Sequence, residues 1–540
     1  MNAHVYPKGC FFKSIDDIKD KHITVMGLGL NGGGEAAVRF LLKHGAYVLA
    51  TDMKTEEQLK PTVTSIEQDK SLDKERLTYV LGGHRIQDFR DADCVIKNPG
   101  VKIQGNEFLS AAQAIESDIS LFLQFTKAPI IAVTGSKGKS STVSAIHHGL
   151  KEAGFNAFLG GNITVSPLTF LEETNENTPV VLELSSWQLA DLRGRGLLKP
   201  KISLITKIVP DHQNWYGNME DYIADKRLIY ADQSADDFMI CDADKDELGT
   251  GPKDGGSWGN LFAGESKAKV LRYSQDRLDD SQYGVWLSFD ENNNLEAIAR
   301  IPGKAKPTKI LGAVNVPGRH MRQNLMNAAL VLYLMGVEPE KIQKILGEWN
   351  GIPHRLQFFH QWKRGGNCSQ AQNAPADSAR SGDCPQAQKS VAAFAQKSVR
   401  FYNDSCSTVP EAAAAASAAF GKPVVCIMGG TDKGLDFEPL AAALDSKNPA
   451  ATAPAALYLL AGSGTDKLLP LLKERGAAYN GPYNSLDDLL AALKSDFENP
   501  ESAAAANDTV VFSPGCTSFG MFANEFDRGE KFMAAVKKSF

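Results

Sequence analysis

The sequence predicts an α/β protein of three domains, each built on a mostly parallel β-sheet flanked by helices. Short apolar segments alternate with helical patterns along the chain, and a glycine-rich turn follows a strand at 27–34 and again at 135–138. The length of 540 residues suffices for three domains of ordinary size. We predict domains at 1–104, 105–351 and 352–540.

The first domain opens with a strand at 23–26 that runs into a glycine-rich turn at 27–32. A helical stretch and a second strand ending at Asp52 follow, which makes a βαβ unit of the Rossmann-like type. The Gly-x-Gly-x-x-Gly spacing with a later acidic residue is typical of sites for a dinucleotide or another nucleotide diphosphate. A purely structural strand–helix turn is the alternative.

The central domain opens with a strand at 129–133 and a phosphate loop, which predicts a P-loop ATPase fold. Backbone N–H groups of such a loop point at phosphate oxygens, and its lysine adds a positive charge. Here two residues separate Gly135 from Gly138, where the usual pattern has four. The predicted ATP-binding residues of the loop are Gly135, Ser136, Lys137, Gly138, Lys139, Ser140 and Ser141.

Two further strands of the central domain end in polar clusters. Glu183 follows a strand at 180–182, and Asp211 with His212 follows a strand at 202–205. Ligands of open parallel sheets gather at the carboxyl ends of strands, and metal coordination would satisfy a buried Glu183. The alternatives are an exposed strand end for Glu183, a structural histidine at His212 and a helix-surface lysine at Lys226.

The third domain repeats the α/β pattern, with strands at 424–428, 457–460 and 510–512. Arg355, Asp404 and Lys433 lie in turns, where functional residues concentrate, although each alone is also typical of surface charge. Residues 368–399 are rich in Ala, Gln and Ser, which predicts a mobile surface insertion within a hairpin.

Charge and composition exclude several classes of protein. The net charge of −6 argues against a nucleic-acid partner. The sequence contains no run of 18 apolar residues, so we expect no membrane span. The first residues lack a secretory pattern, and the eight cysteines form no Cys-x-x-Cys pair. We therefore expect a cytoplasmic protein with reduced thiols and without structural zinc that acts on small molecules. The sequence does not determine the oligomeric state, for which a monomer is our working expectation.

Together these motifs resemble the Mur ligase family over nearly the whole chain. The shortened loop, the Glu183–Leu189 segment, the spacing of His212 and Lys226, the 318–324 segment and Pro353-His354-Arg355 all occur in the family's order. Three segments resemble the glutamate-adding members: 403–405, 429–433 and 513–518. The 27–32 turn would then bind UDP rather than NAD.

The resemblance implies a bacterial ligase of peptidoglycan precursor synthesis that adds D-glutamate to UDP-N-acetylmuramoyl-L-alanine. ATP would activate the substrate carboxylate as an acyl phosphate, with two Mg²⁺ ions and a carbamylated lysine assisting. The implied catalytic residues are Lys139, Glu183, His212 and Lys226. The implied metal ligands are Ser140, Glu183, His212 and carbamylated Lys226. Further ATP contacts would come from Asn324, Arg355 and Asp404. The UDP-substrate would meet Leu30, Asn31, Asp52, Asn98, Asn162, Ser185 and Gln188, and glutamate would meet Thr408, Lys433 and Ser518.

Three positions depart from the family pattern: Cys406 replaces the usual lysine, and Met321 and Lys207 stand where asparagine is common. Cys406 therefore leaves open whether D-glutamate, L-glutamate or another amino acid is added. Alternatives are another Mur ligase, a folylpolyglutamate synthase, a nicotinamide-dependent dehydrogenase and a non-enzymatic nucleotide-binding module. The dehydrogenase leaves the phosphate loop and Lys226 unexplained.

Overall fold

The computed structural model describes residues 9, 12–163, 165–244, 249, 251–252, 256–291, 294–364, 398–448 and 451–540. The chain forms two compact units: Met1–Ala313 with Gln323–Gly347, and Val314–Arg322 with Glu348–Phe540. The predicted domain boundaries near 104 and 351 stay predictions. Among the described residues, no helix combines the length and apolar character that crossing a membrane requires.

The first unit begins with a five-stranded parallel sheet in the order β3-β2-β1-β4-β5. Its strands are β1 His22–Met26, β2 Tyr47–Asp52, β3 Leu77–Leu81, β4 Cys94–Lys97 and β5 Ile115–Glu116. Its helices are α1 Gly33–Lys43, α2 Glu56–Gln68, α3 Ile86–Arg90, α4 Glu107–Ala111 and α5 Asp118–Phe125. The strand order reverses between β1 and β4, which creates a crevice at their carboxyl ends.

The second sheet of this unit has nine strands in the order β14-β13-β12-β11-β10-β9-β6-β8-β7. They are β6 Ile130–Thr134, β7 Phe158–Gly161, β8 Val180–Glu183, β9 Ile202–Ile205, β10 Phe238–Asp242, β11 Lys269–Ser274, β12 Gly284–Phe289, β13 Leu295–Arg300 and β14 Thr308–Leu311. The helices are α6 Lys139–Ala153, α7 Ser186–Ala190, α8 Gln213–Tyr216, α9 Met219–Lys226, α10 Trp258–Glu265, α11 Arg319–Leu334 and α12 Pro339–Glu348. In this sheet the described strands pair parallel except at β13, which runs antiparallel to both β12 and β14. Because β6 lies between β8 and β9, the carboxyl ends of these three parallel strands meet at one edge.

One apolar core serves both sheets of the first unit. It includes Ile23 and Val25 of β1 as well as Ala132 of β6 and Leu182 of β8. Every residue of β6 and of β8 is buried, as expected for parallel strands covered on both faces. The glycine-rich turn and the phosphate loop therefore both stand on a continuous packed core.

The second unit contains a six-stranded sheet in the order β15-β16-β20-β17-β18-β19. Its strands are β15 Gln357–Lys363, β16 Ser398–Asn403, β17 Val425–Gly429, β18 Ala456–Leu460, β19 Asn480–Tyr483 and β20 Thr509–Phe512. Its helices are α13 Pro410–Ala418, α14 Glu438–Ala443, α15 Ser463–Arg475, α16 Leu486–Glu498 and α17 Glu525–Ser539. β15 and β16 pair antiparallel, as the predicted hairpin requires. The predicted insertion lies outside the described residues, apart from 398–399, which belong to β16.

The predicted α/β class with three mostly parallel sheets is confirmed. The prediction of reduced thiols is wrong at one described position. Cys94 at the start of β4 is disulfide-bonded, whereas Cys241, Cys406, Cys426 and Cys516 are free thiols.

Candidate functional site

The phosphate loop connects β6 to α6 through two glycines in the left-handed region, Gly135 with φ 141° and Gly138 with φ 92°. A Cβ on Gly135 would lie 2.0 Å from the Thr206 hydroxyl oxygen, so no larger residue fits against the end of β9. The amides of Ser136 and Lys137 donate to the Lys207 carbonyl at 3.0 and 3.2 Å. The segment after β9 therefore holds the loop in shape.

Two lysines from different helices converge on one carbonyl of this loop. The Lys139 ammonium donates to the Gly135 carbonyl at 2.8 Å, and the Lys226 ammonium donates to the same oxygen at 2.9 Å. Lys139 also donates to the Ser136 carbonyl at 3.0 Å. Lys139 begins α6 and Lys226 ends α9, so the fold brings together two residues that the sequence leaves far apart.

Burial lowers the pKa of both lysine side chains. Desolvation lowers the pKa of Lys139, although the charges of Glu183 and Asp211 oppose that shift. Desolvation lowers the pKa of Lys226 well below its ordinary value, and the neighbouring Lys139 charge lowers it further. Two like charges at one carbonyl are unfavourable, so the Lys139 charge and burial both disfavour the charged form of Lys226.

Glu183 ends β8 beside this pair and is 1% exposed. Its Oε1 accepts a hydrogen bond from the Asn162 side-chain amide at 3.0 Å. Its Oε2 is buried and has no hydrogen-bond partner. A buried carboxylate oxygen without a partner is costly, and a cation bound there would remove that cost.

His212 lies at the same edge, on the turn that begins α8. Its backbone is left-handed with φ 51°, an uncommon conformation for a residue that is not glycine. Its ring packs 4.9 Å from the Trp187 ring, centroid to centroid. The preceding Asp211 forms a 3.2 Å ion pair with Lys137 of the phosphate loop. The polar cluster after β9 is thus tied to the loop through Asp211.

Three other predicted nucleotide-binding residues lie around the loop. Ser140 and Ser141 are in the first turn of α6. Asn324 of α11 packs closely against Gly138. A Cβ added to Gly138 would lie only 2.4 Å from the Asn324 Oδ1. The first unit therefore brings Asn324 to the phosphate loop.

The turn after β1 has a different polar lining. Asp52 accepts hydrogen bonds from the amides of Gly29 and Lys54, both at 2.9 Å. Asn98 packs against Gly27, where an added Cβ would lie 2.8 Å from the Asn98 Cβ. Leu30 and Asn31 are exposed at the tip of the turn. The fold thus assembles these four predicted UDP-binding residues around the β1–β4 crevice.

Ser185 and Gln188 form a capping box at the start of α7. The Ser185 hydroxyl accepts from the Gln188 amide at 3.2 Å, and the Gln188 Oε1 accepts from the Ser185 amide at 3.0 Å. This reciprocal arrangement stabilises the first turn of a helix. Both residues therefore have a local structural role that motif matching does not reveal.

In the second unit, Asp404 follows β16 and is almost fully buried. It accepts from the Leu356 amide at 3.1 Å and from the Ser513 hydroxyl at 2.7 Å. Desolvation raises the pKa of Asp404 to about 6, while Arg355 opposes the shift. Arg355 follows His354, whose backbone is left-handed with φ 62°. The turn before β15 and the end of β16 thus form one polar cluster.

The predicted glutamate-binding residues lie on loops of the same unit. Thr431 and Thr517 form an antiparallel bridge that joins the loops of Lys433 and Ser518. Lys433 is exposed, Ser518 is buried and Thr408 is half-buried before α13. Cys406, two residues before Thr408, is half-buried, and desolvation raises the pKa of its thiol. A neutral side chain therefore stands where the family pattern has a cation.

The motifs did not predict a role for Tyr222, which touches both the loop and Lys226. Its hydroxyl lies 3.0 Å from the Ser136 hydroxyl, and the Lys226 ammonium lies 4.5 Å from its ring centroid. Tyr222 is four residues before Lys226 on α9, so both occupy one helix face. That spacing is the signal that could have identified it.

Comparisons with known proteins agree with this geometry. The family model for the Mur ligase middle domain matches residues 133–332, and the model for the MurD-like N-terminal domain of Mur ligases matches residues 21–120. Acinetobacter baumannii MurF has a similar fold, with a TM-score of 0.50 and 14% identity over 84% of this chain and 93% of that one.

Curated relatives extend the similarity over the full length. The Treponema pallidum UDP-N-acetylmuramoylalanine--D-glutamate ligase is 37% identical over 97% of this chain and 98% of its own. The Borreliella afzelii protein with the same name is 34% identical over 97% of this chain and 99% of its own. The chain belongs to the Mur ligase family.

Proposed function

We propose that the chain is an ATP-dependent ligase that joins D-glutamate to UDP-N-acetylmuramoyl-L-alanine in cytoplasmic peptidoglycan precursor synthesis. The observation that carries the proposal is the similarity, over nearly both full lengths, to the Treponema pallidum ligase of that name. The convergence of Lys139 and Lys226 on the Gly135 carbonyl supports the activation step.

The reaction must convert a carboxylate into an acceptor for an amine. A carboxylate oxygen attacks the γ-phosphorus of ATP, the bond to the bridging oxygen breaks, and ADP leaves. The glutamate amine then attacks the acyl carbon, loses a proton, and the intermediate expels inorganic phosphate. Lys139 supplies positive charge beside the amides of the loop, while the protein mainly orients the reactants.

The side chains at the carboxyl ends of β6, β8 and β9 fit bound cations. In the proposal, Ser140 and Glu183 hold one Mg²⁺, which matches the buried Glu183 Oε2 that has no hydrogen-bond partner. His212 and a carbamylated Lys226 would hold a second Mg²⁺. Bound Mg²⁺ would neutralise phosphate charge and orient the phosphate oxygens. Among the residues that the structure describes, no group of three His, Cys, Asp or Glu side chains could hold a metal. Mg²⁺ commonly takes one or two carboxylates together with phosphate oxygens and waters.

Carbamylation of Lys226 would supply an anionic metal ligand at this site. Because burial lowers the pKa of Lys226, its amine is a nucleophile towards CO₂. A nitrogen–carbon bond forms, the amine loses a proton, and the product is an anion. The change would remove the repulsion from Lys139 and place carboxylate-like oxygens beside Glu183.

The second unit would contribute the remaining contacts. We assign Arg355 and Asp404 to ATP, and Thr408, Lys433 and Ser518 to the glutamate carboxylates. Because Cys406 carries no cationic charge, Lys433 would provide the main positive charge for the acceptor. Because this departure lies at the acceptor site, an L-glutamate-adding ligase is the second candidate.

The test is phosphate release from ATP with Mg²⁺ and UDP-N-acetylmuramoyl-L-alanine, run separately with D-glutamate, L-glutamate and no amino acid. We expect release that depends on D-glutamate. Release with L-glutamate alone would favour the second candidate. Absence of release with either acceptor would contradict the proposed function.

A further inference from the structure

A buried ion pair joins the first sheet to the end of α7 in the first unit. Lys97, the last residue of β4, donates from its ammonium to Asp191, the residue after α7, at 2.7 Å. The two side chains are only 2% and 8% exposed. None of the motifs predicted this pair.

The Lys97 end lies directly behind the glycine-rich turn. Lys97 precedes Asn98, which packs against Gly27. A small cavity behind the turn is lined by Gly27, Gly34, Lys97 and Asp118 among others. Any displacement of Lys97 would therefore move Asn98 and the wall of the turn.

The Asp191 end fixes the orientation of α7. This helix has only five residues, and the Ser185–Gln188 capping box closes its start. The Asp191 amide donates to the Trp187 carbonyl at 3.2 Å, while its carboxylate holds the end of the helix to β4. Two residues later, Arg193 pairs with Asp225, the neighbour of Lys226. The segment after α7 thus touches both β4 and α9.

Stability alone does not account for this pair. Removing two ions from water is costly, and apolar pairs of similar volume are often equally or more stable. The local charge is also unbalanced, because Asp118 lies near the same lysine. Desolvation raises the pKa of Asp118 and raises the pKa of Asp191 to about 6. A directional bond between two elements is what an apolar pair could not supply.

We propose that Lys97 and Asp191 are positioning residues that hold the glycine-rich turn and α7 in register for the two ends of one UDP-sugar substrate. Asn98 would meet the uridine end and Gln188 the sugar–peptide end, so the inference rests on the proposed function. ATP is assigned to the loop after β6, which this pair does not touch. Loss of the pair should therefore affect the UDP-sugar selectively.

The experiment replaces both ions, as K97M/D191L, in the full chain. Melting temperature and the KM values for UDP-N-acetylmuramoyl-L-alanine, ATP and D-glutamate are measured together. K97M alone should lower the melting temperature, because Asp191 stays buried without its partner. The double variant should recover most of that loss, yet its KM for the UDP-sugar should stay raised about tenfold. The KM values for ATP and D-glutamate should change by less than about twofold.

The Arg195–Glu116 ion pair offers a matched control. It also joins the first sheet to the segment after α7, with an Arg195 Nη1 to Glu116 Oε2 distance of 2.5 Å, but it does not adjoin Asn98. R195M should lower the melting temperature without raising the KM for the UDP-sugar.

Three results would overturn the inference. They are a wild-type KM for the UDP-sugar in the double variant, an equal rise for all three substrates, or the same rise in R195M. If the double variant does not fold, the D191E variant is tested instead. It keeps the ion pair but lengthens the acidic side chain by one methylene, which should shift β4 against α7. An unchanged KM for the UDP-sugar in D191E would overturn the inference. Absence of turnover by the wild-type protein would instead contradict the proposed function.

Discussion

The chain uses a glycine-rich turn twice at the start of a helix, and the two turns differ in charge. The turn at Gly27–Gly34 is lined by Asp52, whose oxygens accept from the amides of Gly29 and Lys54. The phosphate loop instead carries two lysines on the Gly135 carbonyl and a Glu183 oxygen without a partner.

The difference agrees with the two kinds of ligand that we propose for these turns. At the first turn, each Asp52 carboxylate oxygen already accepts from a backbone amide, so the turn is held in shape by its own hydrogen bonds. At the phosphate loop, charges of both signs are buried and incompletely paired. Such a site gains most when polyphosphate and cations bind, because they complete its pairing.

The largest effect should come from Lys226→Ala. This change removes both the Gly135 contact and the proposed carbamate, so we expect kcat to fall by at least about 10³-fold. Added acetate or formate should restore part of the activity by occupying the vacated space. Lys151→Ala is the control, because Lys151 is an exposed lysine in the last turn of α6. Activity near the wild-type level in Lys226→Ala would contradict the carbamate role.

Gly138→Ala should act next most strongly, on ATP. The new Cβ would meet Asn324 Oδ1 at 2.4 Å in a left-handed backbone, which costs about 1–2 kcal/mol before the clash is counted. We expect the KM for ATP to rise about tenfold or more and the KM for the UDP-sugar to stay nearly unchanged. Isothermal titration with ADP measures the same loss without catalysis. Equal effects on both substrates would show that the two turns are not independent.

Gly34→Ala should have the reciprocal effect at the first turn. Its Cβ would lie 2.4 Å from the Gly27 carbonyl oxygen, whereas a Cβ on Gly33 has no atom within 4 Å. We expect Gly34→Ala to raise the KM for the UDP-sugar several-fold, about 1 kcal/mol or more, and to spare ATP. Gly33→Ala should match the wild type. If the KM for the UDP-sugar rose equally in both alanine variants, the steric contact at Gly34 would not be the cause of the rise.

The smallest effect concerns how stability depends on pH. Because the pKa of Lys226 is lowered in the folded state, the unfolded chain binds more protons between that lowered pKa and the ordinary value of 10.5. Folding stability should therefore rise with pH within this window, in CO₂-free buffer. In Lys226→Met the rise should be weaker, as measured by urea denaturation midpoints at about pH 7 and about pH 9. Parallel pH profiles would mean that folding does not lower the pKa of Lys226.

The sequence by itself determined the α/β class, the two glycine-rich turns and most of the strands that carry them. Hydrophobic periodicity and glycine spacing are local properties, so they can be read without knowing which strands are neighbours. Family motifs also picked out Glu183, His212 and Lys226 as candidates, but they did not indicate what these side chains contact.

Tertiary structure decided the contacts that give those residues their chemistry. Lys226 reaches Gly135 across 91 positions, and Lys97 reaches Asp191 across 94. Both contacts depend on strand order, because β6 lies between β8 and β9, and β4 lies beside β1. Burial is likewise a property of the packed fold, and it is burial that lowers the pKa of Lys226 and leaves Glu183 short of a partner.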